Sequence, residues 1–582
     1  MKTGPAFNKQ SRDAYALLMV MILAGVSIIV FASAAKWTSS SILVTDRHNT
    51  YNRTSAAAEA ATETVLAQMA RDFFNQGVNS DLNVYRILVP KGTVQDNWAD
   101  GYQFTDGAGG VNRSSVVSTG ASVVTNLDSQ FLGLYGLIYP FRVVSNAKPL
   151  NTPYVMKAAV QQDFQLATIP IFQFAIFYSM DLEINPGPAM TITGKVHGNA
   201  DLYSSPGTSL EFVDDVAAVG KIYTNRHPND PQASSGILPV YDDQHVPGVS
   251  SLTLPIGTNN SPSAVRAVLE VPPGSESASS PLGQQRYYNK ADLIVKVTSS
   301  GTVTVTSGNW NNFATDVSSD LGKMANRFVV KTNTFYDYRE SKWTITTQID
   351  VTALRAAMTD LTSLTYSLNG IAKFQLGHEL NSIYVDDDRT SASKLTVVRV
   401  SNGQQLPPDG LTVATELPLY VKGHFNAPDT TAGSTNTSAT KPASLVADAI
   451  TVLSPSWSDS YSSSTSLGSR GAANDTVNAA FLSGIVPSTQ VSGTKYYSGG
   501  VENFPRFLED WSGDTLTYNG SMVVMFPSKS STNFWINTGT YYNAPTRKWA
   551  FDVNFLDQRK LPPGTPQVRK LVRSQWSVVA AQ

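Results

Sequence analysis

The sequence predicts an α+β protein that is mostly β: a long N-terminal transmembrane helix followed by a β-rich head. Three observations predict it. Ala14 to Ala35 is an apolar run without a charge, closed by Lys36. The chain then carries no proline from Thr38 to Gly77. Beyond Asp181 the texture changes to short alternating runs separated by Gly, Asn or Pro-Gly, which suits strands of a few residues joined by turns.

The apolar run comes first. At the helical rise of 1.5 Å per residue, about 22 residues make about 33 Å, enough to cross a hydrocarbon core of about 30 Å. A secretory signal peptide has a shorter apolar core, of about 7 to 15 residues, although Ala32 to Ala35 offers a small-residue cleavage site. A buried core helix would have to lie beside Lys2, Lys9 and Arg12. The reading is therefore a membrane anchor over 14–36 behind a leader at 1–13. The basic residues ahead of it place that leader in the cytoplasm and the bulk of the chain on the far side of the inner membrane.

The helix is expected to continue outward over 37–77. Thr54 to Phe74 is rich in Ala, Glu, Leu, Gln and Met, all good helix formers. Val65, Met69 and Phe73 recur at a spacing of four, with Leu66 beside them, and form a stripe expected to face the head. Small residues at Ala24, Gly25, Ser27, Ala32 and Ser33 permit close approach of other helices in the membrane.

This N-terminus carries a resemblance. A basic leader, an apolar run opening Tyr15-Ala16-Leu17-Leu18-Met19-Val20, and an exit helix with Ala57-Ala58-Glu59-Ala60-Ala61 and Val65-Leu66 resemble PilX-type minor pilins and pseudopilin-like exported proteins. That resemblance implies a candidate processing site at Ala14 and Tyr15. The family's usual pattern is a glycine before Phe and a glutamate five residues into the mature chain; here Asp13-Ala14 precedes Tyr15, and Met19 stands at the glutamate's place.

Composition narrows the rest. A chain of 582 residues exceeds one compact core, so several units are expected. The net charge of −2 offers nothing to attract nucleic acid. Only 15% of residues are charged, and there is no cysteine, which excludes disulfides, thiol catalysis and zinc-thiolate or iron-sulfur sites. A large exported protein without disulfides must be held by burial and hydrogen-bond ladders, which extended β structure supplies.

Along the chain, 78–180 reads as an α+β region packing on the helix. The apolar stretch Ala167 to Met180 is too short to span a membrane and reads as a buried strand or helix. The region 181–425 reads as a β-rich head, either with β-solenoid rungs or as a conventional sandwich or mixed sheet. Within it, Thr224 to Pro281 reads as long surface loops, Ala291 to Val297 and Thr302 to Thr306 as a hairpin, and Asp350 to Thr359 and Asp316 to Met324 as helices. The region 426–582 reads as β-rich, opening on the flexible tract Pro428 to Pro442. Glu502 to Trp511 reads there as an amphipathic helix with Phe504, Phe507, Leu508 and Trp511 on one face, followed by a strand with a glycine break over Leu516 to Phe526.

A second resemblance lies in that region. Gly499-Gly500-Val501-Glu502-Asn503-Phe504-Pro505-Arg506-Phe507-Leu508-Glu509-Asp510-Trp511, followed by Tyr518-Asn519-Gly520-Ser521, resembles a C-terminal signature of large pilin-like exported proteins, including the hormogonium polysaccharide biosynthesis protein A group. It implies no catalytic residues.

Few residues are candidates for chemistry. No two of the six histidines have the i, i+4 spacing of a helical metal pair, and His378-Glu379 lacks the second histidine of a zincin. No nucleophile elbow, Walker loop or dinucleotide fingerprint occurs. Asp386-Asp387-Asp388 lacks the alternating ligand spacing of a calcium loop and reads as a solvated turn, as do Asp214-Asp215 and Asp242-Asp243. Glu502 and Glu509 would share a helix face, and Arg506 would pair with Glu502 at i, i+4. No cofactor, metal or enzymatic activity is expected. The expected role is structural: a membrane-anchored, pilin-like component of a bacterial type IV pilus or type II secretion-like system, whose partners are the membrane and other pilin-like helices. An anchored carbohydrate-binding or exopolysaccharide-export factor outside any filament is the alternative.

Overall fold

A computed structural model describes residues 10–90, 101–308 and 317–581, apart from 128, 132, 151, 332, 363, 429–431 and 538, with side chains from residue 14 onward. Most of the 1–13 leader and the start of the 428–442 tract lie outside the described residues.

The anchor and its extension form one helix, Gln10–Gln76, of 67 residues. It is long and apolar enough to cross a membrane, and none of its apolar window is buried. The helix stops at Gly77, whose φ of +89° is left-handed and whose N–H donates to the Phe73 carbonyl at 3.0 Å. Arg569 reaches the Phe73 and Phe74 carbonyls from outside, covering acceptors that the last turn leaves open.

The region after the helix is an antiparallel sheet laid against it. Tyr102–Thr105, Tyr135–Pro149, Ala158–Pro170 and Gln567–Val579 pair in that order, with Ser115–Ser118 and Val123–Asn126 also pairing to Tyr135–Pro149. The C-terminal strand therefore returns to the stem of the molecule. The apolar stretch 167–180 finishes Ala158–Pro170, turns through Ile171–Gln173 and enters the strand Ile176–Tyr178, where the head begins.

That head is a β-solenoid, which settles the choice the sequence left open. Ile176, Val196 and Val216 stack in parallel register at 20-residue intervals. Leu182, Leu202 and Ile222 form a second side at the same interval, and Met190 with Leu210 begins a third. Each coil sends its apolar strand residues inward and turns at glycines or short polar corners. The chain then crosses back and winds a second half through Leu293–Val297, Ser382–Asp387, Leu411–Ala414, Ala443–Ala447, Ala480–Ile485 and Met522–Pro527. The last of these pairs in parallel with Ile176–Tyr178, so both halves share one 11-stranded sheet. A single apolar core runs through them.

Several expectations need correction. Glu502 to Trp511 is not a helix: only Val501–Asn503 makes a 3-10 turn, after which the segment runs through the solenoid wall. Arg506 donates its N–H to Ile450 and accepts from Val452, both at 2.9 Å, while Asp510 bridges Gly471 and Asn543. Pro505 has no N–H for a helical ladder. The segment is buried at 504–509 and again at 511, so the polar face of an amphipathic helix has nowhere to lie. By contrast, the glycine break expected within Leu516 to Phe526 is present as a coil corner after Gly520, between the strands Thr515–Gly520 and Met522–Pro527. Thr224 to Pro281 is not merely surface loop: Leu252, Leu254, Val265, Val268 and Leu269 are buried, and Arg266 reaches Asp448 at 2.9 Å. Asp386 and Asp387 are not a solvated turn but buried positions in the strand Ser382–Asp387.

Coil stacking is tight enough to be tested at one glycine. Gly410 has φ +89°, and a Cβ there would lie 2.0 Å from the Pro442 carbonyl oxygen on the next coil. Gly410→Ala is expected to cost about 1–3 kcal/mol of strain, read as a lower thermal midpoint than that of a Gly→Ala control at the open position Gly274.

Candidate functional site

The long helix meets two environments. Its lower part is packed: Val65, Leu66, Met69 and Phe73 are buried with Tyr85, Val116, Phe141, Val143, Phe164 and Leu166. Phe141 and Phe164 stack at 5.8 Å beneath it. One to two turns earlier, Ala57, Ala58 and Ala61 lie against Phe104, Ala147 and Val160, where small side chains let the helix sit close to the sheet. Burying the four larger side chains is worth about 1.5–3 kcal/mol each. Glu63 adds an ion pair to Arg573 on the C-terminal strand at 2.5 Å, but both groups are half-exposed, so it contributes little.

The upper part is bare. Ala14 and Tyr15 lie within the continuous helix, as does Met19, and all three are exposed. Exposure continues past the apolar run: Ile42 is 61% exposed, Leu43 57% and Val44 58%. The first fully buried residue is Thr54. From Ala14 to there is about 60 Å at the helical rise, twice the thickness of a hydrocarbon core of about 30 Å.

The signature at 502–511 lies inside the wall and ties coils together. Glu502 accepts from the Asn185 N–H at 3.2 Å and from Tyr497 at 2.9 Å, and burial pushes its carboxyl up. Asn503 donates to the Gly499 carbonyl and accepts from Tyr542, both at 2.7 Å. Phe504 leans on Tyr178 at 6.5 Å, next to the buried Pro505. Phe507 contacts Trp511 at 5.8 Å and Tyr542 at 5.9 Å. Arg506 pairs with Glu340 at 2.7 Å, not with Glu502, and also donates to the Ser531 carbonyl at 2.6 Å. Glu509 holds Ser454 through its N–H and hydroxyl, with its carboxyl pushed up to about 7 by burial. None of these groups lines a described cleft. Sequence reasoning could not place Glu340, which is remote in the chain from Arg506.

Other acids are structural too. Asp387 pairs with Arg389 at 2.6 Å, while Asp386 and Asp388 share Lys296 at 2.9 and 3.1 Å. Asp214 accepts from the Gly194 N–H at 2.7 Å, and Asp215 pairs with Lys195. Asp242 and Asp243 lie at an exposed turn. Among the described residues, no group of three or more His, Asp or Glu side chains could hold a metal ion.

Two polar clefts went unread in the sequence, because their residues come from distant coils. The larger, about 660 Å³, is lined by Lys290, Asp292, His378, Asp409, Lys441 and Asp552 among others. Its acids fasten loops: Asp292 accepts from the Asn381 and Ser382 N–H groups, Asp409 from that of Glu379, and Asp552 from Thr437. The second, about 420 Å³, lies where the parallel strands Lys394–Ser401 and Leu419–Lys422 end and includes Arg399, Ser401, Lys422 and His424. Among the described residues, Ser401 Oγ makes no hydrogen bond and His424 turns to Asp475 at 3.0 Å, so no nucleophile–base pair is formed there.

No family model matches the chain, and no curated protein matches it. Among solved structures, the competence-associated pilin ComZ from Thermus thermophilus superposes with a TM-score of 0.31 and 12% identity, over 90% of this chain and 97% of that one. At that level the likeness says nothing of what this chain does.

Two substitutions test the buried polar groups. Arg506→Met leaves Glu340 charged and unpaired in the wall, at an expected cost of about 3–5 kcal/mol, measured by denaturant or thermal unfolding. His197 is stacked on Phe177 at 5.4 Å, and burial pushes its pKa down from 6.5 to about 4. Between those values the unfolded chain binds a proton that the folded one refuses, so His197 makes stability fall as pH falls, by about 3 kcal/mol in all. Glu183, pushed up to about 7 by burial, acts in the opposite sense between 4.5 and 7. The comparison is therefore between variants: His197→Phe should gain on the native protein by about 3 kcal/mol from pH 7.5 to pH 4.

Proposed function

We propose that the chain is a structural, membrane-anchored, pilin-like component of a type IV pilus or type II secretion-like system, acting in assembly, adhesion or surface transport and not as an enzyme. One observation carries this reading: a single unbroken helix is packed against the head below Thr54 and bare above it, over about twice the length a bilayer can cover. Lipid accounts for the apolar run at 14–36. It does not account for Ile42, Leu43 and Val44, which stand in water unless other apolar helices cover them. Lateral packing with pilin-like helices satisfies both parts, and the small residues Ala24, Gly25, Ser27, Ala32 and Ser33 allow it inside the membrane.

The leader is assigned to the cytoplasm and the head to the periplasmic or cell-surface side, on the strength of Lys2, Lys9 and Arg12. The finer kinship, to PilX-type minor pilins and to the hormogonium polysaccharide biosynthesis protein A group, is supported by the N-terminal run and the 499–511 signature. Processing at Ala14 and Tyr15 belongs to the same reading.

A photoreactive residue placed at Leu43 in cells tests it. The expected outcome is covalent adducts with other pilin-like proteins, lost when Ile42 and Val44 are both changed to Lys while the protein stays in the membrane fraction. Recovery of the native protein in the soluble fraction would overturn the reading. Membrane-bound protein without pilin adducts would favour the alternative, an anchored carbohydrate-binding or exopolysaccharide-export factor that enters no filament.

A further inference from the structure

The outer sheet of the second half pairs Lys342–Asp350, Lys394–Ser401, Leu419–Lys422 and Ile450–Leu453 in parallel. An apolar layer of Phe335, Leu395, Val397, Tyr420, Leu453 and Trp457 covers one part. The Arg399 guanidinium lies over the Phe335 ring at 5.4 Å and marks its border. Beyond Arg399 the strands end side by side: Asp350, Ser401 and Lys422 occupy one level of the parallel ladder, on neighbouring strands about 4.8 Å apart. The cleft of about 420 Å³ opens there, within the size range of about 300–1,000 Å³ for ligand sites.

One of its cations has no direct partner among the described residues. Arg399 is bidentate to Asp459 at 2.6 and 2.8 Å and donates to Gln348 at 2.8 Å. His424 has its own carboxylate in Asp475, at 3.0 Å. Asp350 caps the following helix through the Ala353 N–H and takes a hydrogen bond from Asn402 at 2.7 Å. Lys422 is left over, half-buried, with no hydrogen bond or ion pair among the described residues. Burial pushes its ammonium below its ordinary range, with Asp459 and Glu509 opposing that and Arg399 adding to it.

A second, independent observation comes from Ser401. It is 6% exposed, lines the cleft, and its hydroxyl has no partner among the described residues. A buried hydroxyl without a partner is unfavourable, and native interiors contain few of them. Gln348 uses its carbonyl oxygen on Arg399 and Asn333, which leaves its amide nitrogen as a further donor at the cleft.

We propose that this cleft binds a sugar acid, a single carboxylate carried on a hydroxylated ring, with the carboxylate on Lys422 and ring hydroxyls on Ser401 and the Gln348 amide. One cation without a hydrogen-bonded partner offers a single carboxylate its contact. A phosphate dianion would bring a surplus negative charge beside Asp459, and a neutral sugar would leave Lys422 unanswered. The hydroxyl and amide supply the neutral hydrogen bonds that a bare carboxylate would not use. The site is on the solenoid wall and holds whichever partners the long helix takes, so its failure and the failure of the pilin-like reading are separate results. No bond is made or broken: Ser401 has no base on its hydroxyl.

The test is calorimetric titration of the full-length protein in detergent micelles with galacturonate and glucuronate, against galactose and inorganic phosphate. At least one hexuronate should bind, with galactose and phosphate weaker by roughly tenfold or more, the size of one charge-assisted hydrogen bond. Lys422→Met should lose roughly tenfold in hexuronate affinity, and Ser401→Ala several-fold without lowering the thermal midpoint, because it removes a hydroxyl that has no partner in the ligand-free fold. Absence of binding by either hexuronate, equal binding of phosphate or galactose, or unchanged affinity in a folded Lys422→Met protein would overturn the proposal.

Discussion

Between Thr54 and Phe73 the long helix is pinned to the stem sheet, first by Ala57, Ala58 and Ala61 at close approach, then by Val65, Leu66, Met69 and Phe73 in an aromatic bed. The rest of the molecule hangs from this contact. It fixes which part of a 67-residue helix belongs to the head and which part is left for lipid and other helices. Removing it would give a β-solenoid on a tether instead of a rigid shaft with a head. The strand Gln567–Val579 closes the same sheet, and Arg569 covers the helix's last carbonyls, so the end of the described chain reinforces the contact made near its start.

The head meets a different constraint. Without cysteine it must hold about 400 residues by burial and ladders alone. A solenoid answers this, since each coil pairs with the next and only the two ends leave strands unpaired. Here even the start of the first half is covered, because Met522–Pro527 pairs with Ile176–Tyr178 and joins the halves into one sheet. The buried polar groups of the 499–511 signature lie along the turns of this wall. Arg506 against Glu340, and Glu502 against Asn185 and Tyr497, fasten segments that are far apart in sequence.

What the sequence made legible follows from the range of the interactions. The apolar run and the spacing of Val65, Met69 and Phe73 are local patterns that state the helix and its two environments directly. The short alternating runs after Asp181 suit coils or a sandwich alike, because the 20-residue interval that marks the coils persists only from Ile176 to Ile222 and is already lengthened between Val216 and His245. The segment 502–511 misleads because an irregular wall segment buried on all sides and a helix with an apolar side can share the same spacing of Phe504, Phe507, Leu508 and Trp511. Burial of the polar partners, which only tertiary structure supplies, decides between them. The cleft at Ser401 and Lys422 was invisible for a related reason: its residues are neighbours through ladder register and not through sequence.

The most direct measurement uses the absence of native cysteine, since each introduced cysteine is then the only thiol in the molecule. Single substitutions at Leu18, Leu43, Val44, Val65 and Met69 would be probed with a water-soluble maleimide, in detergent and in native membranes. The account predicts that Val65 and Met69 positions stay protected in both, that the Leu18 position stays protected by lipid or micelle, and that Leu43 and Val44 react in the isolated protein but become protected in the cell envelope. Equal and rapid labelling of the Val65 and Leu43 positions in the folded, isolated protein would contradict it, because the helix would then not be divided between head and partners at Thr54.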